Sequence, residues 1–173
     1  MQGLALAAEW LADDRVDACV VVGTEELDWI VGDAVRLFQR SAIHAGGAGA
    51  LYLKKASSGR TVLSAITDSF PFTKLQNRAA ATQQMRDQLG SGTPAELLCD
   101  SDNEATTWPD WPGRRLSTKR ILGEAFNASA AWQCVIACDQ IETGQTPAAS
   151  VSIVGANQQA IGARFTRSTI SPL

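Results

Sequence analysis

The run from Leu122 to Thr143 constrains this chain most. Ala125, Ala128, Ala131, Trp132, Val135, Ile136 and Ile141 recur there at helical spacing and predict the longest helix of the protein. Many of them are small, so another backbone can approach the helix closely. Gly144 follows as a suitable C′ residue.

Around that helix the chain alternates. Leu4, Leu6, Ala7, Ala8, Trp10 and Leu11 predict a short apolar helix ending near Asp13 and Asp14. Asp17-Ala-Cys-Val-Val-Val-Gly23 is continuous, β-branched and not alternating, which reads as a buried, parallel strand. A helix is expected from Thr24, with Leu27, Ile30, Val31, Ala34, Val35 and Phe38 inward. The glycine-rich Ala45–Leu53 segment leads into a strand, and Thr61–Thr67 reads as its hairpin partner across a polar turn. Thr73–Leu89 predicts a polar amphipathic helix anchored by Leu75, Ala79, Met85 and Leu89. Glu96–Cys99, Ala149–Val154 and Ala160–Phe165 read as strands. Ser101–Arg115, with Trp108-Pro109 and Trp111-Pro112, reads as an irregular loop, because a residue before proline avoids the helical region. The order α-β-α-β-β-α-β-α-β-β implies one layered α/β domain with helices against mixed sheet.

Composition narrows the function. The 173 residues are 45% hydrophobic and 19% charged, a globular balance. A net charge of -3 argues against nucleic-acid binding, which calls for a basic surface. Arg114, Arg115, Lys119 and Arg120 do cluster, and read either as a solvated turn before a helix or as a dock for an acidic partner. No stretch is long and apolar enough to insert in a membrane, and the first residues lack a basic signal-peptide n-region. Cys19, Cys99, Cys134 and Cys138 form no C-x-x-C pair, and the single histidine, His44, is far from them in sequence. No metal and no cofactor is expected, and reduced thiols in the cytoplasm are the default.

Five landmarks, in order, resemble the β-ketoacyl synthase (ketosynthase) family. Leu4-Ala-Leu-Ala-Ala-Glu-Trp-Leu11 resembles the helix after that family's nucleophile, and Asp17-Ala-Cys-Val-Val-Val-Gly-Thr-Glu25 the strand and turn that follow. Ala45-Gly-Gly-Ala-Gly-Ala-Leu-Tyr-Leu53 resembles the family's Gly-Glu-Gly-Ala-Gly strand. Ser117-Thr-Lys-Arg-Ile-Leu-Gly-Glu124 resembles Ser-x-Lys-Ser-x-x-Gly-His. Gly155-Ala-Asn-Gln-Gln-Ala-Ile-Gly162 falls at the closing Gly-Phe-Gly-Gly-x-Asn turn, with Asn157 in the matching region. The resemblance covers nearly the whole chain and implies a thiolase-like layered fold, mixed sheets with helices between and outside, without the family's N-terminal part. It also implies that an edge of sheet normally paired across a dimer is left exposed.

The family's condensation needs a thiolate at a helix N-terminus and two histidines that stabilise an enolate. The resemblance places the nucleophile just ahead of Met1. It places the first histidine motif after Leu97-Leu98, where Cys99, Asp100, Ser101, Asp102 and Asn103 stand, and the second histidine at Glu124. Lys119 alone matches. A carboxylate at position 124 repels an enolate and donates no hydrogen bond. Lys119 and Glu124 read as a structural ion pair rather than a catalytic one.

The remaining candidates have plainer readings. Cys134 and Cys138 share a helix face and read as core thiols, as does Cys19 in its strand. Cys99 reads as a strand-end hydrophobe whose pKa Asp100 raises. His44 reads as a surface histidine, and Ser101, Asp102, Asn103 and Glu104 as turn caps. The expectation is a non-condensing ketosynthase-like protein that shapes an acyl pocket beside an acyl carrier protein or an active ketosynthase subunit, as a homo- or heterodimer. The alternatives are a true 3-oxoacyl-[acyl-carrier-protein] synthase whose N-terminal portion lies elsewhere, and an unrelated small α/β binding module.

Overall fold

The structure, a computed structural model, describes residues 1–36, 43–55, 59–73, 77–100, 108–155 and 158–169. In chain order its elements are α1 (Gln2–Ala12), β1 (Ala18–Glu25), α2 (Trp29–Arg36), β2 (Gly47–Lys54), β3 (Thr61–Ile66), β4 (Phe70–Pro71), α3 (Arg78–Leu89), β5 (Leu97–Asp100), β6 (Arg114–Leu116), α4 (Thr118–Leu122), α5 (Phe126–Glu142), β7 (Ala148–Val154) and β8 (Gln159–Arg167).

Two sheets form. β1 and β2 make an antiparallel pair, while the second sheet runs β3-β8-β7-β5-β6, with β4 also on β8. Helix α5 lies between them, touching β1 and β2 on one side and β5, β7 and β8 on the other. Its small residues matter here. A Cβ on Gly49 of β2 would sit 2.8 Å from the Ala131 Cβ, so strand and helix approach closely only because neither carries more than a methyl group.

The six-stranded sheet divides two cores. Leu97, Cys99, Ala149, Val151, Ala163 and Phe165 face α5, joined by Leu4, Cys134, Ala137 and Ile141. Leu98, Val154 and Ala160 face the other way, onto Ala81, Met85 and Leu89 of α3 and onto Trp108 and Trp111. The alternation of Leu97, Leu98 and Cys99 across one strand follows from the two-residue period of the pleat.

Several expectations give way. The first strand is antiparallel and half covered: Val20 and Val22 are 63% and 57% exposed, and Cys19 is only partly buried. It also runs on to Glu25, which pairs with Gly47, so the following helix starts at Trp29 and leaves Leu27, Trp29 and Ile30 exposed. Phe38 lies outside the described residues. Thr61–Ile66 is no hairpin partner of β2. It crosses to the second sheet and pairs with β8, where Leu63 meets Phe165. Helix α3 begins at Arg78, capped by the Asn77 side chain accepting from the Ala80 N–H at 2.7 Å. Ala79 is exposed and Ala81 takes the core position; Leu75 lies outside the described residues.

The predicted long helix forms as α5 but starts at Phe126 rather than at Leu122. Gly123 has φ +91°, and a Cβ there would lie 2.7 Å from the Ile43 carbonyl oxygen, so α4 stops and α5 restarts after Ala125. Trp108 and Trp111, read as loop, are 4% and 6% exposed and meet edge to face, ring centroids 5.0 Å apart. Arg86 stacks over Trp108 and pairs with Asp110.

One motif occurs twice. After α1, the amide N–H of Asp13 donates to Glu9 O at 2.9 Å, that of Asp14 to Leu11 O at 3.3 Å and that of Arg15 to Trp10 O at 2.9 Å. After α5, at one constant offset, Thr143 donates to Asp139 at 2.9 Å, Gly144 to Ile141 at 3.1 Å and Gln145 to Gln140 at 2.9 Å. Asp14 and Gly144 both take positive φ, 56° and 79°, a conformation that glycine enters freely and aspartate more readily than most. Each turn then enters a strand that pairs antiparallel with the next: β1 with β2, β7 with β8. The α1-β1-β2 and α5-β7-β8 units are two copies of one structure facing each other across the core.

Candidate functional site

Of the residues singled out from sequence, Lys119 and Glu124 meet close to the C-terminal end of β6. β5 runs parallel between β7 and β6, with Cys99 opposite Leu116. The chain leaves β6 and within two residues enters α4, which carries Lys119. Gly123 ends that helix, and Glu124 is held by backbone hydrogen bonds to a neighbouring segment: its N–H donates to Ile43 O at 2.7 Å, and its carbonyl accepts from Ala45 N at 3.0 Å.

Glu124 is 8% exposed and committed on both carboxylate oxygens. Oε2 pairs with Lys119 Nζ. Oε1 accepts from the Phe126 N–H at 3.0 Å, and the Ser129 hydroxyl lies 3.4 Å away. The Ser129 Oγ in turn accepts from the Ala125 N–H at 2.9 Å. The carboxylate therefore caps the first turn of α5, where free N–H groups and the helix dipole favour negative charge. Its charge is already answered by an ammonium and a helix end, and as an ionised group it has only acceptors to offer.

The thiols are insulated. Cys99 is fully buried, and desolvation raises its pKa far above the ordinary thiol range, with Asp100 the least of the groups adding in that direction. Burial pushes Cys134 and Cys138 up to about 12. Held protonated at neutral pH, these three are not poised as the thiolates that a nucleophile or metal ligand uses.

His44 departs from its surface reading. It bridges in parallel to Glu124 through backbone, and both ring nitrogens are buried without a hydrogen-bond partner among the described residues. Thr118 Oγ1 and both amide atoms of Gln133, each side chain fully buried, are in the same condition. Sequence reasoning gave Ser129, Gln133 and Thr118 no place here; a polar residue on the inner face of an otherwise apolar helix was the available sign for the first two. Two of the four basic residues are engaged elsewhere. Lys119 is paired inward and Arg114 donates to Gln140 Oε1 at 2.6 Å. Asn157, Ser101, Asp102, Asn103 and Glu104 lie outside the described residues. Among the described residues no group of three His, Cys, Asp or Glu side chains could hold a metal, and no helix is long and apolar enough to cross a membrane.

No protein-family model matches this chain, and no curated protein matches it. Solved structures do. A type II polyketide synthase ketosynthase, in complex with its acyl-carrier protein, superposes with a TM-score of 0.76 at 12% identity, over 95% of this chain and 54% of its own. A β-ketoacyl synthase from Burkholderia phymatum gives 0.76 at 13% identity, over 96% of this chain and 59% of its own. The ishigamide ketosynthase/chain length factor gives 0.71 at 17% identity, over 96% and 53%. The fold is that of the ketosynthases, thiolase-like, and this chain spans a little over half their length.

Proposed function

We propose that this chain is a ketosynthase-like subunit of fatty-acid- or polyketide-type biosynthesis that does not itself condense acyl units. One observation carries the reading: Glu124, at the position that the resemblance gives to the second histidine, is neutralised by Lys119 and spent on capping α5. An enolate oxygen needs a donor at that place, and a carboxylate supplies none. Lys119, the one match to the family's set, is tied to the same carboxylate and is not free to act on a substrate.

The thiols of the buried Cys99 and Cys134 and the half-buried Cys138 support the same reading, since none is poised as a thiolate. Cys99 and Asp100 then complete a strand end. The role left is that of a partner: a subunit that pairs with an active ketosynthase, contributes wall to an acyl pocket and meets an acyl carrier protein. Two of the structures it matches bear on this by analogy, one a ketosynthase with its carrier protein and one a ketosynthase/chain length factor.

The test is acyl loading. The purified chain is incubated with an acyl thioester of an acyl carrier protein and weighed intact. No covalent adduct is expected, with or without an active ketosynthase present, while binding of the carrier protein by the assembled pair is expected. A thioester on any cysteine of this chain refutes the proposal.

A further inference from the structure

Gln133 sits where a helix core calls for an apolar side chain. It is fully buried, and neither its amide oxygen nor its amide nitrogen has a hydrogen-bond partner among the described residues. Buried polar side chains are paired as a rule, because an orphaned amide has given up its hydration for nothing. Its neighbours along α5 fix where the side chain goes. Ser129, one turn earlier, has its hydroxyl 3.4 Å from Glu124 Oε1. Gln140, two turns later, accepts from Arg114 at 2.6 Å. Residues 129, 133 and 140 share one stripe of the helix. The chain from Arg114 to Glu124, which is β6 and α4, therefore runs along that stripe, and Gln133 faces its middle.

The middle of that stretch is where β6 passes into α4. Thr118 stands there, fully buried, with its Oγ1 unpartnered among the described residues. The buried Oγ of Ser117, beside it, is unpartnered as well. Helices α4 and α5 are in contact. Two segments of the chain thus bring orphaned polar atoms to one enclosed place.

We infer that this place is a binding site for ordered water, which bridges the Gln133 amide on α5 to the Thr118 hydroxyl at the junction of β6 and α4. The groups decide the chemistry of the ligand. An amide must both donate and accept, and a hydroxyl does either. A cation leaves the amide N–H groups unanswered, and an anion leaves the amide oxygen unanswered. A direct bond between Gln133 and Thr118 uses one amide atom and leaves the other. The ammonium and carboxylate on the same stretch, Lys119 and Glu124, are already paired with each other. A neutral ligand that donates and accepts is required, and enclosure limits its size, since Gln133 and Thr118 are both 0% exposed. Water meets both conditions, and a buried water makes about three hydrogen bonds. The bridge fastens the segment that carries Lys119 to α5 by a route separate from the Lys119–Glu124 pair. It stands on burial and hydrogen bonding and is independent of the proposed function.

A high-resolution crystal structure of the full chain is the direct test. Density for at least one water is expected within hydrogen-bond distance of both the Gln133 amide and Thr118 Oγ1. Urea unfolding of Thr118→Val and Gln133→Met, which nearly conserve volume, tests the same point in solution, because the sign of the effect differs. Removing one side of a water bridge strands the other, so each variant should raise the unfolding constant roughly tenfold. The double variant should raise it by less than the product of the two, since both act on one bridge. A dry, orphaned group gives the opposite result, because its removal relieves a penalty and lowers the unfolding constant. An unchanged or lower constant, multiplicative losses in the double variant, no density at the site, a direct Gln133–Thr118 hydrogen bond, or a peak at metal-to-oxygen distances would each overturn the inference.

Discussion

Lys119 Nζ and Glu124 Oε2 form an ion pair whose side chains are only 14% and 9% exposed. Screening by water is slight there, and each charge depends on the other. Glu124→Gln keeps an acceptor for the Phe126 N–H but strands the ammonium, which should cost about 3–5 kcal/mol in urea unfolding. Adding Lys119→Met to that variant removes the stranded charge and should return stability to within about 1 kcal/mol of the parent. If the single variant loses less than about 1 kcal/mol, the pair is solvated and does not hold Lys119 inward.

The second core should prove as important as the first. Trp108→Ala removes a buried ring that touches Trp111 on its edge and Arg86 on its face. A loss of about 3–5 kcal/mol is expected, as for other buried large aromatics. Trp111→Phe should lose less than half of that, because the Trp111 Nε1 has no hydrogen-bond partner among the described residues and an aromatic edge is kept. Equal losses from both substitutions would mean that the ring pair itself is unimportant.

The contrast between the two cores explains what was readable beforehand. β5, β7 and β8 were legible because continuous apolar runs such as Leu97-Leu98-Cys99 have few other homes. The landing place of β3 was not, since Val62-Leu63 suits either sheet and pairing depends on distant chain. The tryptophans misled for a local reason: each precedes a proline, which forbids helix and so reads as loop, but does nothing to prevent burial. At the site, the Lys119–Glu124 pairing could be anticipated from spacing across a strand-to-helix turn. The burial of His44 could not, because it follows from a backbone bridge between segments far apart in sequence.

The contact between β2 and α5 gives a steric test. Gly49 lies under Ala131, whereas neighbouring Ala50 points to the exposed face. Gly49→Ala places a methyl group where 2.8 Å is available and should destabilise by about 1–3 kcal/mol through overpacking. Ala50→Ser should stay within about 0.5 kcal/mol. A neutral Gly49→Ala would show that the small-residue seam is looser than the geometry requires.

Alkaline stability reports on the thiols. Cys134 is 1% exposed, and its pKa rises from 9.0 to about 12 on burial. Above pH 9 the unfolded chain releases this proton while the folded chain keeps it, so the unfolded state binds fewer protons and stability falls as pH rises. Below pH 9 both states are protonated and the thiol contributes no slope. Between pH 9 and 12 each such thiol adds a decline approaching ~1.4 kcal/mol per pH unit. Cys134→Ala should therefore flatten the decline measured by urea unfolding from pH 8 to 10.5 by up to one proton's worth. At pH 8 a thiol reagent should modify the partly exposed Cys19 first and reach Cys99 and Cys134 only as the protein unfolds. Rapid native-state labelling of Cys99 would mean that the thiol beside Asp100 is open to solvent, and would reopen its claim to chemistry.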